Sequence, residues 1–439
     1  MRCVERSGLS DDAPLDDHPL PRSMAVELNA RRHYAAPMHP PGASTVLLRY
    51  GDLTTKSHAV GGRMRDRLGG HLEALLDARD LDATIDVGHA RTILDTEPAE
   101  VEAVARTAAD VFGAVSASPA LAVEPTKLAI ESALREAAAA HYDGGTFAVE
   151  ARRAHDGHPF TSEDVGRFGG DAVGEGAPEG VEPRVDLDDP DLTFEVEVRE
   201  SVAYVSLDRI EGPGGLPYGT QAPLVALISG GIDSPVAAYE VMRRGSPIVP
   251  VYLDLGDYGG ADHEARAVET VRKLAWHAPQ DDWELYRVPA GESVAAIADA
   301  LDRGRMLAFR RYTVAVAEAI AREHDAAGIV TGEAIGQKSS QTVRNLAITD
   351  AATELPVHRP LLSWDKDRIS NQARALDTFA ESTIPAGCNR FAPDNAETGG
   401  SLGRIRETEP TDLFERAKTD AADADAIRID PAAPADWDR

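Results

Sequence analysis

The run Leu224-Val225-Ala226-Leu227-Ile228 stops at Ser229-Gly230-Gly231-Ile232-Asp233-Ser234, and Pro235 then leads into Val236-Ala237-Ala238-Tyr239-Glu240-Val241-Met242. A short apolar run, a glycine turn and a helix read as a buried parallel strand feeding a helix, which commits the chain to an α/β layer. Pro is tolerated in the first helical turn, where its missing N–H has no intrahelical partner. The turn therefore gathers backbone N–H groups and two serine hydroxyls at one helix N-terminus, a place for a chain of phosphates. Gly230 and Gly231 let an anion approach the backbone. Asp233 adds a carboxylate where Mg²⁺ could bridge phosphates. No G-x-x-x-x-G-K-[ST] occurs, so this is not a Walker loop.

The 439 residues allow two or three domains. No apolar run approaches the ~18 residues of a membrane span, and no secretory h-region opens the chain, so a cytoplasmic protein is expected. Two cysteines exclude a disulfide framework and a four-cysteine zinc site. The formal charge of −29 would ordinarily argue against a nucleic-acid partner. Only six of the 45 cations are lysines, however. Acid excess with scarce Lys suits a protein soluble in concentrated salt, where screening lengths of ~3 Å mute self-repulsion. The acidity thus reflects the solvent, and local patches decide the partner.

Residues 1–43 lack periodicity and read as a disordered extension; Met38 is a candidate start, in which case Cys3 is not translated. Residues 44–98 carry a strand at 46–50, a helix over 63–78, strands at 84–87 and 91–94 and the start of a helix over 98–111, a small α+β unit. A second unit spans 99–210, with a helix over 126–140, a strand at 146–150 and a hairpin over 191–207. Arg152, Arg153, His158 and Arg167 form its densest cationic group, assigned to a surface loop, with Ser162 as the cap of the next helix. On spacing alone a solvated charged face is as good a reading. The Gly/Pro stretch 212–220 joins this unit to an open parallel sheet over 211–396, where strands at 248–253, 283–288 and 328–331 alternate with helices over 261–275 and 306–323. Residues 397–439 read as a mobile acidic tail with one short helix near 411–418.

The loop Ser229–Ser234 resembles the pyrophosphate loop (PP-loop) of enzymes that split ATP between its α and β phosphates. Together with Asp52-Leu53-Thr54-Thr55-Lys56-Ser57, Gly212-Pro213-Gly214-Gly215-Leu216-Pro217, the stretch Thr331-Gly332-Glu333 to Thr342, and Arg359-Pro360-Leu361-Leu362 with Asp365-Lys366, it resembles the tRNA 4-thiouridine synthetase family, ThiI. The resemblance implies ferredoxin-like, THUMP and PP-loop ATP pyrophosphatase domains, in that order. It implies adenylation of O4 of uridine 8 in tRNA and displacement of AMP by sulfur, with ATP and Mg²⁺ as cofactors, tRNA as partner and often a homodimer. A role in thiazole synthesis for thiamine is also known in the family.

Carried over by position, ATP contacts fall to Leu227, Ile228, Ser229, Gly230, Gly231, Asp233, Ser234, Tyr252, Leu253, Arg310, Gly332 and Gln341, and catalytic roles to Asp233, Lys366 and Cys388. Asp233 is also the expected Mg²⁺ ligand. The chain has neither a rhodanese domain's cysteine after residue 388 nor a C-x-x-C pair. Sulfur is therefore expected from outside, as sulfide, a carrier's persulfide or a ubiquitin-like thiocarboxylate. Two other readings stay open: another PP-loop adenylating enzyme (2-thiolation of tRNA or amide ligation), and a tRNA-binding protein without catalysis.

Overall fold

The computed structural model describes residues 38–51, 58–88, 91–155, 157–259, 261–338, 340–379, 391 and 398–431. In chain order, β1 (Thr45–Tyr50), α1 (His58–Ala78), β2 (Thr84–Val87), β3 (Arg91–Asp95), α2 (Val101–Asp110) and β4 (Ala114–Val123) come first. Then follow α3 (Lys127–His141), β5 (Thr146–Arg153), α4 (Ser162–Gly176), β6 (Arg184–Val185), β7 (Leu192–Val198), β8 (Ala203–Ser206) and β9 (Ile210–Glu211). These strands make one mixed sheet in the order β2-β3-β1-β4-β8-β7-β5-β6, with β9 beside β4.

The alternation along β1 shows how the sheet sorts its residues. Val46, Leu48 and Tyr50 enter a core with Leu68, Leu72 and Leu75 of α1 and Val104, Ala105 and Ala108 of α2, whereas Leu47 belongs to a small cluster with Ala120 and Tyr204. The expected division at 98/99 is corrected here. Helix α2 packs into the first core, and ten-residue β4 pairs with β1 on one side and β8 on the other, so one sheet runs through both units. Small residues hid β4: Ala114-Val115-Ser116-Ala117-Ser118-Pro119-Ala120 lacks the β-branched signature of a strand.

The second half adds β10 (Leu224–Leu227), α5 (Asp233–Met242), β11 (Ile248–Asp254), α6 (Ala261–Ala275), β12 (Glu284–Pro289), α7 (Gly291–Ala300), α8 (Arg305–Glu323), β13 (Ile329–Val330), α9 (Val343–Asp350), β14 (Val357–His358) and α10 (Lys366–Ala375). Its sheet runs β14-β13-β10-β11-β12-β15, parallel except for the last strand. That last strand corrects the reading of a mobile tail. Residues 398–431 hold α11 (Leu402–Thr408), α12 (Leu413–Ala422) and β15 (Asp425–Arg428), and β15 pairs antiparallel with β12. Leu413, Ala417 and Ala421 repeat every four residues and are buried against α8. Buried Arg311 donates to both carboxylate oxygens of Glu409, at 2.8 and 3.0 Å.

The Gly/Pro stretch between the halves is docked rather than loose. Gly113 N–H donates to the Gly214 carbonyl at 2.8 Å, and Leu216 N–H to that of Arg243 at 3.0 Å. Gly215 has φ +84°, and a Cβ there would lie 1.8 Å from the Arg243 carbonyl oxygen, so only glycine fits. Phe112, from the loop before β4, reaches the core of the second half and packs with Tyr218 and Tyr239. His71 and His277 flank this aromatic group, and a ring nitrogen of His71 lies 2.8 Å from the His277 carbonyl oxygen.

Candidate active site and RNA-facing surface

At the C-terminal end of β10 the chain turns at Ser229 and enters α5 at Asp233, two residues earlier than Pro235 marks. Gly230 takes φ +64°, and Ser234 Oγ accepts from Ser229 N–H at 3.1 Å, closing the loop on itself. A side chain at Gly230 would press on Arg266 of α6, and one at Gly231 on Ser229 Oγ. Gly332 follows β13 and abuts the same helix start. A Cβ there would lie 2.7 Å from the Asp233 carbonyl carbon and 2.8 Å from Ser234 N. Its missing side chain lets the chain after β13 pack directly on the start of α5.

Asp233 sits half-buried where three segments meet. Burial raises its carboxyl above the ordinary value, and the charges of Lys338 and Lys366 pull it back. Lys366, expected from the sequence, is thus within electrostatic reach of the loop, as the first residue of α10. Lys338 joins it without having been singled out. The other omission is the acid–base set around Glu333. Arg310 Nη1 pairs with Glu333 Oε1; Arg359 Nε donates to Glu333 Oε2 at 2.7 Å, and Thr331 Oγ1 to the same oxygen at 3.1 Å. Burial, then repulsion by Arg359, lowers Arg310 to about 10. Both Glu333 and Arg359 stand in the motif phrases quoted above, so the signal lay in arginine and acid types beside a glycine turn.

Leu227, Ile228, Ser229, Gly230, Gly231, Ser234 and Gly332 are brought together by these packings. Tyr252 and Leu253 lie near the end of neighbouring β11 with their side chains in the cores, so they offer main chain. Gln341 is buried, and its Oε1 has no hydrogen-bond partner among the described residues; nor has Gln337 Nε2 or Arg310 Nε. Unmet donors and acceptors beside a glycine-walled anion loop fit a nucleotide. Cys388 lies outside the described residues, as do 52–57. No cluster of three or more metal-binding side chains occurs among the described residues.

The cationic group over 152–167 is divided by the structure. Strand β5 continues to Arg153, so Arg152 and Arg153 point to opposite faces and are not loop residues. Arg152 lines the open face of the first sheet. Arg153 Nη1 donates to the Phe160 carbonyl at 2.9 Å. His158 stacks on Phe160, and its ring nitrogen lies 2.7 Å from the Arg199 carbonyl oxygen. Arg167 is exposed and 3.4 Å from Asp164. Thr161, not Ser162, caps α4, in a capping box with Asp164.

Family models match in three consecutive stretches: the ThiI ferredoxin-like domain at 45–118, the THUMP domain at 127–208, and "Thiamine biosynthesis protein (ThiI)" at 219–411. A probable tRNA sulfurtransferase of Halobacterium salinarum is 53% identical over 392 residues, covering 89% of this chain and 99% of that one. The chain belongs to the tRNA sulfurtransferase family. Another such sulfurtransferase, from Methanosarcina acetivorans, is 38% identical over 82% of this chain and 88% of its own. A solved structure titled a 4-thiouridine synthetase–RNA complex with bound ATP shares the fold, with a TM-score of 0.74 at 24% identity over 88% of this chain and all of that one. This sulfurtransferase chain has no helix, among the described residues, long and apolar enough to cross a membrane.

Proposed function

We propose that the chain is an ATP-dependent tRNA sulfurtransferase that converts uridine 8 of tRNA to 4-thiouridine. The observation that carries this reading is Gly332 seated on the start of α5, beside Asp233 with the charges of Lys338 and Lys366 in reach, while neighbouring Glu333 holds Arg310. The printed names of the relatives, and the ATP and RNA of the structure that shares the fold, support it.

Backbone N–H groups of Gly230 and Gly231 and the Ser234 hydroxyl would cradle the phosphates, with Arg310 turning from Glu333 to meet them. Gln341 and the main chain around Leu227, Ile228, Tyr252, Leu253 and Gly332 would receive the nucleoside. Asp233 would hold Mg²⁺, which supplies charge neutralisation at the phosphates; one carboxylate suffices when phosphates are the other ligands. Uridine O4 attacks the α-phosphorus, the α–β bridge bond breaks and pyrophosphate leaves as the N3 proton is lost. Hydrosulfide sulfur then attacks C4 and AMP departs with O4, a far better leaving group than the bare carbonyl oxygen. A persulfide R–S–S⁻ attacking in its place would leave C4–S–S–R, whose S–S bond an external thiol would break, carrying R–S away as a mixed disulfide. Donors fixed in advance at the departing pyrophosphate are the electrostatic part of the catalysis. Lys366, whose charge reaches Asp233, would act on the target base. Sulfur comes from an external donor; where that donor is a persulfide carrier, the Cys388 thiolate would take its outer sulfur as the carrier's thiolate leaves, and full activity of Cys388→Ala with the physiological donor would remove that role.

Mass spectrometry of tRNA nucleosides, from cells lacking the gene and cells restored with wild type or Asp233→Ala, tests the proposal. Loss of 4-thiouridine rescued by wild type alone is expected. Unchanged 4-thiouridine in the deletion, with no second enzyme encoded, would refute it.

A further inference from the structure

The first sheet carries charge on its open face that the reaction above does not use. Arg49 of β1 and Arg91 of β3 are direct cross-strand partners, and like charges so placed repel. Glu195 and Glu197 of β7 reach them from across the sheet. Arg49 Nη2 is 3.1 Å from Glu195, and Arg91 Nη2 pairs with Glu197. Strands β3 and β7 are four spacings apart, ~19 Å on a flat sheet and beyond the span of two side chains. The sheet must therefore curl, with this face on the inside. It encloses a cavity of about 230 Å³, lined by Arg49, Arg91, Arg152, Arg209, Glu195 and Glu197 among others.

The carboxylates do not satisfy the cations. Glu195 is shared between Arg49 and Arg209, and Glu197 between Arg91 and Arg199. With Arg152, four guanidiniums line the cavity against three acids, Glu150 being the third, in a chain whose net charge is −29. Arg91 is only 9% exposed, yet its Nε and Nη1 have no hydrogen-bond partner among the described residues. Ser116, beside Arg49 in the same row, has an unmet buried hydroxyl as well. Unmet donors on a buried cation are costly, and an oxygen-rich anion meets both the charge and the geometry. Burial lowers Arg49 to about 10 against the pull of Glu195, and the charges of Arg209 and Arg91 add to the lowering.

We propose that this cavity is a binding site for one phosphate-type oxyanion, anchored by Arg91 with Arg49 and Arg152 beside it. It is distinct from the PP-loop and does not rest on the activity proposed there. The oxyanion is either a phosphodiester of bound RNA or free inorganic phosphate.

Equilibrium dialysis of inorganic phosphate against the full chain, at constant ionic strength in KCl, tests it with Arg91→Met and Arg152→Gln alongside wild type. Any phosphate held by the PP-loop is common to all three proteins, so the difference between them reports the sheet cavity. Wild type should show a saturable site that Arg91→Met weakens at least tenfold and Arg152→Gln several-fold. If Arg91→Met does not fold, Arg152→Gln, whose side chain is exposed, decides alone. A tRNA arm separates the two sources. For a phosphodiester, phosphate competes with tRNA, and Arg152→Gln lowers both tRNA affinity and its salt slope, by about one. For free phosphate, the site still fills with tRNA bound. Absence of a saturable site, variants that bind phosphate like wild type, or displacement by equimolar chloride would each overturn the proposal.

Discussion

Acidification from pH 7.5 to 5.5 should cost the folded chain about 3 kcal/mol through two histidines at the junction of its halves. His71 is buried and His277 half-buried against the Phe112, Tyr218 and Tyr239 group, and desolvation there lowers each to about 4. The unfolded chain, with histidines near 6.5, takes up protons that the folded chain refuses. The stability these groups permit is complete above about pH 6.5 and declines as pH falls toward 4. At pH 5.5 the loss is ~1.4 kcal/mol per histidine, because one unit of pKa difference is worth about that much. Acidic side chains add their own pH dependence, so the comparison needs a partner variant. Urea unfolding at both pH values, in concentrated KCl, would be run on wild type and on His71→Gln/His277→Gln. The double variant should be weaker at both pH values, yet its loss between them should be smaller than that of wild type by about 3 kcal/mol. Equal losses, within ~0.5 kcal/mol, would show that neither histidine is held neutral by the junction.

Three further outcomes are expected. Ionised Asp233 opposes folding, because a carboxyl raised by burial loses stability as pH rises through its folded value. Asp233→Asn should therefore keep or raise the melting temperature, by about 1–3 °C, while abolishing 4-thiouridine formation; a lower melting temperature would mark Asp233 as structural. Glu409→Ala strands Arg311 and should lower stability by about 3–5 kcal/mol in urea, with partial recovery in Glu409→Ala/Arg311→Met. Arg153→Ala breaks the bond to the Phe160 carbonyl and should cost about 1.5–3 kcal/mol of stability, whereas Arg152→Ala should weaken tRNA binding at an unchanged melting temperature. Equal melting losses in the two would refute the division of that pair between faces.

What sequence could reveal here depended on the distance over which a signal acts. The strand and loop through Ser234 were legible because the apolar run, the glycines and the helix start are adjacent, and each restricts the same few φ/ψ angles. Arg152 and Arg153 are adjacent too, but a two-residue strand period separates their faces, and a reading by proximity grouped them. The end of the chain failed for the opposite reason. Its Asp and Ala content reads as disorder, yet Leu413, Ala417 and Ala421 need only small side chains to fit α8, and Glu409 finds its partner 98 residues away. Composition measures how much apolar surface a segment has, not whether a neighbour of matching shape exists.

The same limit explains Phe112. Phe112 falls just after a helix of the first core and would be assigned to that core by any local rule, but it belongs to the second. The consequence is mechanical. With Phe112 buried beside Tyr218 and Tyr239, and Gly215 leaving no room for a side chain against Arg243, the first half cannot swing on its Gly/Pro connection without emptying a packed site. A residue that spans the two halves in this way fixes the reach from the first sheet to the PP-loop. Phe112→Ala should therefore lower stability by about 3–5 kcal/mol. It should also impair 4-thiouridine formation more on full-length tRNA than it impairs ATP binding, since only the former needs both halves in register. Equal losses in the two assays would mean that the junction supports the fold of the second half and does not set the spacing.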